Sequence, residues 1–236
     1  MTLDKKIAVM AFAFLAMGSA HAADTSVFAG LSSANRSTFG YLGGVKAINH
    51  DLSQSGVLLR GLVYYGEYDY DTTAVTQGKV DGKATGAELG VGYQWANPNN
   101  RISLYASIDH QDHRLSPNDT QNSVRGGETG AAVQAEAETL NTAWYGGLIG
   151  KYSTANDSYW VRGRVGYVFG NMALGPEAIL AGNKEYDENR LGVFLNAAVS
   201  KATTLSFSVG ARKSEGNRSL SSQKGAYGGV SVATNF

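Results

Sequence analysis

The side chains of this 236-residue chain that could bind a metal or cleave a bond are its histidines and those with a hydroxyl or carboxylate group. His110 and His113 stand three positions apart, which invites comparison with a pair of metal ligands. In a β-strand, however, residues three apart point to opposite faces. The sequence also contains no cysteine, so thiolate ligands are missing. We therefore predict no metal site.

A serine hydrolase is the sharpest enzymatic interpretation of the same region. Ser107 and Asp109 share one face of a predicted strand, but neither His110 nor His113 is spaced to complete a catalytic triad with them. The chain has no Gly-x-Ser-x-Gly motif. The glycines at 90 and 92 lie within a strand, without the third glycine and the helix of a nucleotide site. We expect neither catalysis nor a cofactor, and a lipid or polysaccharide hydrolase is the alternative.

Charged residues alternate with apolar ones along most of the chain. The lumen-facing polar residues that we predict are Arg60, Glu88, Asp109, Glu136, Arg162, Arg164, Glu177 and Arg190. Both signs occur in similar number, which suits a lumen closed by ion pairs as well as a polar conduit or binding cavity. Eight-stranded barrels are filled and much larger ones conduct, so a narrow or plugged lumen is favoured over an open pore.

Aromatic residues gather near the ends of two predicted strands. The predicted aromatic rim consists of Tyr64, Tyr65, Tyr68, Tyr70, Tyr93 and Trp95. Transmembrane barrels carry aromatic girdles at both membrane interfaces, so we interpret this set as a girdle. A stacking surface for sugar rings is the alternative for the four tyrosines from Tyr64 to Tyr70.

Period-two alternation positions all of these side chains. The last segment, Ala226–Phe236, places Val230, Val232, Thr234 and Phe236 on one face, as expected for the closing strand of an outer-membrane barrel. Similar alternation recurs along the chain, and the residues Phe39, Tyr41, Gly43, Val45 and Ala47 share one face of the second strand. We predict an all-β, antiparallel, up-and-down transmembrane barrel of twelve strands. Ten strands remain possible if the first hairpin or the alanine-rich segment Thr129–Thr139 does not form strands.

The two ends of the predicted barrel differ in their connections. We expect short connections on the side of the termini and long ones opposite, including Asp71–Gly82, Leu115–Gly127, Gly182–Asn189 and Lys213–Lys224. Pro176 predicts a bulge or bend, because a closed barrel has no free strand edge for a proline. Glu177 and Arg190 would face inward on adjacent strands, and we predict that they pair.

The first 22 residues have the features of a cleaved signal peptide. Lys5 and Lys6 precede an apolar stretch from Ile7 to Met17, and Ala20-His21-Ala22 is a small-x-small cleavage site. We predict a signal peptide over 1–22 and one barrel domain over 23–236. The whole sequence has 20 basic and 20 acidic side chains, and this balance predicts no nucleic-acid partner.

Several short motifs resemble one known family. They are His50-Asp51-Leu52-Ser53-Gln54-Ser55-Gly56-Val57-Leu58-Leu59-Arg60, Gly92-Tyr93-Gln94-Trp95, Asp109-His110-Gln111-Asp112-His113-Arg114, Leu174-Gly175-Pro176-Glu177, Gly182-Asn183, Tyr186-Asp187 and Arg190-Leu191-Gly192. Together they resemble the cellulose biosynthesis protein BcsS family over roughly residues 40 to 195. The resemblance implies an association with bacterial cellulose synthase operons and supplies no catalytic residues.

These observations lead to one functional expectation and two alternatives. We expect a non-catalytic outer-membrane barrel that contacts membrane lipid and assists cellulose biosynthesis, secretion or surface anchoring. It would act by binding or passing the polysaccharide, with cellulose and other secretion subunits as partners. The alternatives are an outer-membrane hydrolase and a purely structural barrel that scaffolds other subunits, whose lumen would be blocked by ion pairs.

Overall fold

A computed structural model describes residues 23–140, 142–216 and 223–236. The predicted signal peptide lies outside these described residues. Among them, no helix has the length and apolar character needed to cross a membrane.

Twelve antiparallel strands form a closed barrel in which each strand pairs with its neighbours in the chain and β1 pairs with β12. The strands are β1 (Thr25–Ala34), β2 (Ser37–Ala47), β3 (Gly56–Asp71), β4 (Lys79–Ala96), β5 (Asn100–Ser116), β6 (Gly126–Thr139), β7 (Trp144–Ser153), β8 (Ser158–Phe169), β9 (Met172–Asn183), β10 (Tyr186–Ala198), β11 (Thr203–Gly216) and β12 (Gln223–Asn235). A 3-10 turn, Ala155–Asp157, joins β7 to β8. The predicted all-β, antiparallel barrel of twelve strands is confirmed. The alanine-rich segment is strand β6.

The barrel has a terminal end, which carries residue 23 and Phe236, and an opposite loop end. At the loop end, the connection over 72–78 joins β3 to β4 and that over 117–125 joins β5 to β6. The predicted long connection Gly182–Asn189 is wrong. Strand β9 continues to Asn183 and β10 begins at Tyr186, because the alternation of inward and outward side chains persists up to a two-residue turn.

A small apolar core closes part of the terminal end. The connection over 48–55 folds inward there, and Leu52 packs with Ala47, Leu58 and Tyr105. The Gln94 side chain fixes this connection, because its Nε2 donates to the carbonyl oxygen of Leu52 at 2.8 Å. The lumen is therefore narrowed on the β2–β5 side of this end.

The outer face is an apolar band between two sets of aromatic rings. Leu89, Ile108 and Leu191 lie in the band and are 68–73% exposed. Toward the terminal end, the outward aromatic residues are Tyr93, Trp95, Trp144, Tyr167 and Phe169. Toward the loop end they are Tyr65, Tyr152 and Tyr159, whose hydroxyls donate to nearby carboxylates. An exposed apolar band between two sets of outward aromatic residues is typical of the lipid-facing surface of a transmembrane barrel.

Inward aromatic rings lie over inward glycines of neighbouring strands. A Cβ atom at Gly86 would overlap the Tyr64 ring, and one at Gly30 would overlap the Tyr41 ring. Each pair is directly opposite in the strand register. The ring fills the volume that the glycine lacks, which explains why the sequence combines 30 glycines with 13 tyrosines.

Pro176 lies on the outer face of β9, where the pairing with β8 is interrupted. The ladder is continuous up to Arg164↔Glu177 and resumes at Tyr167↔Leu174 in the same register. The predicted bulge is therefore absent, since no extra residue is inserted. The proline has no N–H to donate, and Gly175 packs so tightly on β8 that a Cβ would overlap the backbone of Val165.

Candidate functional site

The inner wall of the barrel carries all eight polar residues that the sequence analysis selected. Each occupies a strand position whose direct neighbours point outward, and six of the eight belong to hydrogen-bonded ion pairs. Glu136 instead accepts a hydrogen bond from Gln134 Nε2 at 2.5 Å, and Arg162 stacks on Trp160. Three clusters of charged residues divide the interior between them.

The central cluster joins strands β3, β4, β5 and β7. Arg60 Nη1 lies 2.5 Å from Glu88 Oε1, and Lys151 Nζ lies 2.5 Å from Glu88 Oε2 and 3.4 Å from Asp109 Oδ2. Gln111 also donates to Asp109, at 2.9 Å. Glu88 and Asp109 are at most 4% exposed. Each buried carboxylate thus meets a cation, as burial of charge requires.

The second cluster is built around Glu177 on β9. Its carboxylate accepts from Arg164 Nε and from the Tyr227 hydroxyl, the latter at 3.0 Å. Arg164 also donates to Ser206 and Ser208, at 2.9 Å each. The predicted Glu177–Arg190 pair is wrong. Register sets Glu177 directly opposite Arg164, whereas its partner on the β10 side is a glycine, Gly192.

Arg190 belongs to the third cluster, toward the loop end. Glu188, two residues before it on the same face of β10, pairs with Arg190 and with Arg212 Nη2, the latter at 2.8 Å. Arg212 also reaches across to the β1–β2 turn, where it donates to the Asn35 carbonyl at 2.7 Å. Arg190 donates to Ser32 at 2.9 Å. This cluster braces β10 and β11 against the β1–β2 hairpin.

Three of the six predicted rim aromatics lie inside the barrel. Tyr65, Tyr93 and Trp95 point outward and are 41–49% exposed. Tyr64, Tyr68 and Tyr70 instead point inward, so their assignment to a girdle is wrong. In β3 the outward positions are the odd-numbered ones, and only Tyr65 of the four tyrosines is odd-numbered. Tyr68 and Tyr70 stack on each other, with ring centroids 6.3 Å apart.

A strip of four aromatic rings follows the inner wall over β1, β2 and β3. We call Phe28, Tyr41, Phe39 and Tyr64 the aromatic strip. Neighbouring centroids are 6.3 Å apart for Phe28 and Tyr41, 6.4 Å for Tyr41 and Phe39, and 5.6 Å for Phe39 and Tyr64. Phe39 is 40% exposed, and the other three rings are half-buried. The strip is therefore an apolar surface inside the barrel that solvent can reach.

The segment over 117–125 lies across the loop end. Tyr70 of β3 donates to Asp119 and accepts from Asn122 Nδ2, both at 3.0 Å. On the far side, the backbone N–H of Ser123 donates to Glu185 Oε1, in the β9–β10 turn, at 2.8 Å. Strands β3 and β9 are six apart in the ring of twelve, so the segment spans the mouth.

The residues considered for catalysis are not brought together. Ser107 and Asp109 point into the lumen, whereas His110 points outward and contacts Thr129 at 2.8 Å. His113 lies inside, 3.0 Å from the Tyr68 hydroxyl, so the two histidines do face opposite sides of the strand.

Several members of the site were not among the residues predicted from the sequence. Lys151, Glu188 and Arg212 complete the ion-pair clusters, and Phe28, Phe39 and Tyr41 complete the aromatic strip. Glu188 and Arg212 each follow the alternation of their strands and could have been found from it. The inward direction of Phe39 could not have been predicted from the sequence. Apolar residues on a transmembrane strand ordinarily face lipid.

Comparison with known proteins gives a family and a fold. The model of the family described as cellulose biosynthesis protein BcsS matches residues 26–236. No match is found among curated proteins. Among solved structures, a chain from a study titled "Unveiling the Mechanism Behind the in-meso Crystallization of Membrane Proteins" is 11% identical, with 90% of this chain and 84% of that chain covered and a TM-score of 0.51.

Two further barrels are similar over nearly their whole lengths. The KdgM porin is 12% identical, with 89% of this chain and 99% of that chain covered and a TM-score of 0.47. The β-domain of the Bordetella autotransporter BrkA is 16% identical, with 90% and 100% covered and a TM-score of 0.48. At these identities, the likeness concerns the barrel fold alone.

Proposed function

Because the chain belongs to the cellulose biosynthesis protein BcsS family and so has a role in cellulose biosynthesis, we propose that it is a non-catalytic outer-membrane barrel that binds a glucan chain on its aromatic strip. The outward apolar band with aromatic edges supports the membrane location. The accessible rings of the strip, above all Phe39, are the observation that carries the binding role.

The chemistry of a β-linked glucan matches such a strip. The hydroxyls of each β-glucose ring are equatorial, so its two faces expose C–H groups and are apolar. Aromatic rings offer flat apolar faces with a negative quadrupole, which attracts these C–H groups. Sugar hydroxyls remain at the ring edges, where the polar side chains of the lumen can bond to them. A run of rings along the wall would therefore hold successive sugars.

The ion-pair clusters narrow the lumen and so restrict passage through the barrel. Buried pairs around Glu88, Glu177 and Glu188 occupy much of the lumen, and Arg60 of the first pair lies over Phe28 at one end of the strip. The segment over 117–125 spans the loop end. We therefore propose a barrel that holds the glucan and does not conduct freely. Passage of a polymer would require this segment to move.

Binding of cellohexaose to the purified barrel in detergent tests the proposal. We expect Phe39→Ala to weaken the affinity measured by titration calorimetry by about tenfold, since loss of one stacking contact typically costs ~1–3 kcal/mol. Tyr65→Ala is the matched control, because this ring is 45% exposed on the outer face, and it should leave the affinity unchanged. Equal losses in both variants would contradict a luminal site.

A structural barrel that scaffolds other secretion subunits is the second candidate. The buried ion-pair clusters favour it, because they stabilise the barrel whether or not a polymer binds. The same titration distinguishes the two candidates. Absence of saturable cellohexaose binding to the folded wild-type protein would leave scaffolding as the function.

A further inference from the structure

Arg162 differs from the other inward-facing arginines of the strands. Five inward-facing arginines of the strands lie within ion-pair distance of a carboxylate: Arg60, Arg101, Arg164, Arg190 and Arg212. Among the residues that the structure describes, no carboxylate pairs with Arg162. Its guanidinium instead lies over the ring of Trp160, with Cζ 5.3 Å from the ring centroid. Within the described part of the chain, Arg162 is thus an inward cation that the protein itself does not neutralise by direct contact.

The position of Arg162 directs it toward the aromatic strip. It lies on β8, and Tyr41 of the strip lies on β2, six strands away in the ring of twelve and so directly across the barrel. Arg162 interacts electrostatically with Tyr41 across the barrel, and also with Arg164 and Glu177 on its own side of the barrel. Arg162, Trp160 and Tyr41 are all half-buried, so they border space that solvent reaches.

Glu136 carries a negative charge near Arg162, but the two side chains do not pair. Glu136 and Arg162 lie in one row of the sheet, since each is directly opposite Ile149 on β7. The apolar side chain of Ile149 stands between them. Glu136 accepts from Gln134 Nε2 instead, at 2.5 Å. The row therefore separates the two charges, and Glu136 does not neutralise the guanidinium.

The orientation of Arg162 suits recognition of an oxyanion. Stacking on an aromatic face holds the guanidinium plane and leaves its N–H donors free at the edges. Those donors form a rigid fork that matches the two oxygens of a carboxylate or phosphate, and such charge-assisted pairs are stronger than bonds to neutral hydroxyls. A charge without a partner inside a protein is also costly, and a bound anion would relieve this cost.

We propose that Arg162, backed by Trp160 and facing Tyr41, is a subsite for a carboxylate or phosphate group. This inference rests on the proposed function, because the anionic group would be carried by the sugar chain on the aromatic strip. It makes the preferred ligand an acidic polysaccharide segment, not a wholly neutral glucan. A free phosphate ion offers the same chemistry, and the experiment distinguishes the two sources.

Titration calorimetry with four ligands tests the proposal on the folded barrel. The ligands are cellobiose, cellobiouronic acid with its single carboxylate, cellohexaose and inorganic phosphate. We expect the wild type to bind cellobiouronic acid about tenfold more tightly than cellobiose, and Arg162→Gln to abolish this preference. Arg162→Lys should restore part of it, since charge returns without the fork. Arg114→Gln, which removes an exposed outward-facing arginine, is the control for net charge and should keep the preference.

The outcomes separate this inference from the proposed function. Equal affinities for cellobiose and cellobiouronic acid in the wild type, or a preference that persists in Arg162→Gln, would overturn the inference, while cellohexaose binding would still support the glucan role. Phosphate binding that depends on Arg162 in a barrel that ignores every sugar would keep the oxyanion site, assign it to the free ion and remove the glucan role. Migration on unheated gels verifies that each variant is folded.

Discussion

Replacing Glu177 by Gln should destabilise the barrel substantially. Glu177 is 2% exposed, and its carboxylate accepts from Arg164, from Tyr227 and, at 3.4 Å, from Ser208. The amide of Gln keeps an acceptor for Tyr227 but removes the charge opposite Arg164. Loss of one partner of a buried pair typically costs ~3–5 kcal/mol. We expect about 3 kcal/mol, because Arg164 retains its bonds to Ser206 and Ser208.

A double-mutant cycle makes this prediction specific to one partner. Glu177→Gln combined with Arg164→Gln should show a coupling energy of about 2 kcal/mol, because each single change leaves the other group unpaired. Glu177→Gln combined with Arg190→Gln should show a much smaller coupling energy, about 0.5 kcal/mol, because the two groups share only one partner. Arg190 approaches Glu177 only through Tyr227, whose ring centroid lies 5.4 Å from the Arg190 guanidinium.

Urea unfolding of the refolded barrel in lipid vesicles, followed by tryptophan fluorescence, measures these energies. Glu215→Gln is the control, because Glu215 forms an exposed pair with Lys213 on the same strand as Ser206 and Ser208, and its unfolding midpoint should match the wild type. A Glu177→Gln protein as stable as the wild type would refute the prediction. A coupling to Arg190 as large as that to Arg164 would equally refute it.

Two further predictions concern the terminal end and the glycine–ring contacts. Hydrogen bonds from Thr25, His50 and Lys46 lower the pKa of Asp24 from 3.8 to about 2, so this contact stabilises β1 above pH 3.8 and is lost as the pH falls toward 2. The protection factors of the β1 and β2 amides, corrected for the intrinsic exchange rate at each pH, should therefore fall at pH 2 in the wild type. Asp24→Asn should show the lower protection factors already at pH 5, and equal protection in both proteins at pH 5 would contradict this. Gly86→Ala should cost about 1–3 kcal/mol of unfolding free energy because its Cβ overlaps the Tyr64 ring. Gly163→Ala, whose Cβ meets no atom within 4 Å, should be tolerated, and equal urea midpoints for the two variants would refute the packing argument.

The direction of most side chains could be predicted from the sequence because it depends on a local property. In a strand, successive side chains alternate between two faces, so one outward residue determines the faces of its whole strand. This rule placed Arg60, Glu88 and Arg162 on the inner wall. For β2 the rule grouped Phe39 and Tyr41 on one face without deciding which face it is. In the structure both rings face inward and pack over glycines of other strands.

The partners of those side chains could not be predicted in the same way. Which residue meets Glu177 depends on the register between β8 and β9 and between β9 and β10, and a shift of two residues would keep its face but change its partner. Likewise, the turn at 184–185 depends on how far two strands remain paired. The contact between Ser123 and Glu185 joins connections 62 residues apart in the chain, so no local pattern reveals it.

The sequence by itself determined the class of this protein: twelve alternating segments, an apolar outer face and a mixed-charge inner face, because each is a consequence of period-two alternation against lipid. Only the tertiary structure decided that the interior holds three ion-pair clusters and an accessible aromatic strip, and that Arg162 has no carboxylate partner among the described residues. The clusters and the strip depend on the register between neighbouring strands, on the curvature that brings β4 and β7 within reach of each other, and on the closure that sets β2 opposite β8. Distance across a lumen is set by closure and register, neither of which is local in the chain.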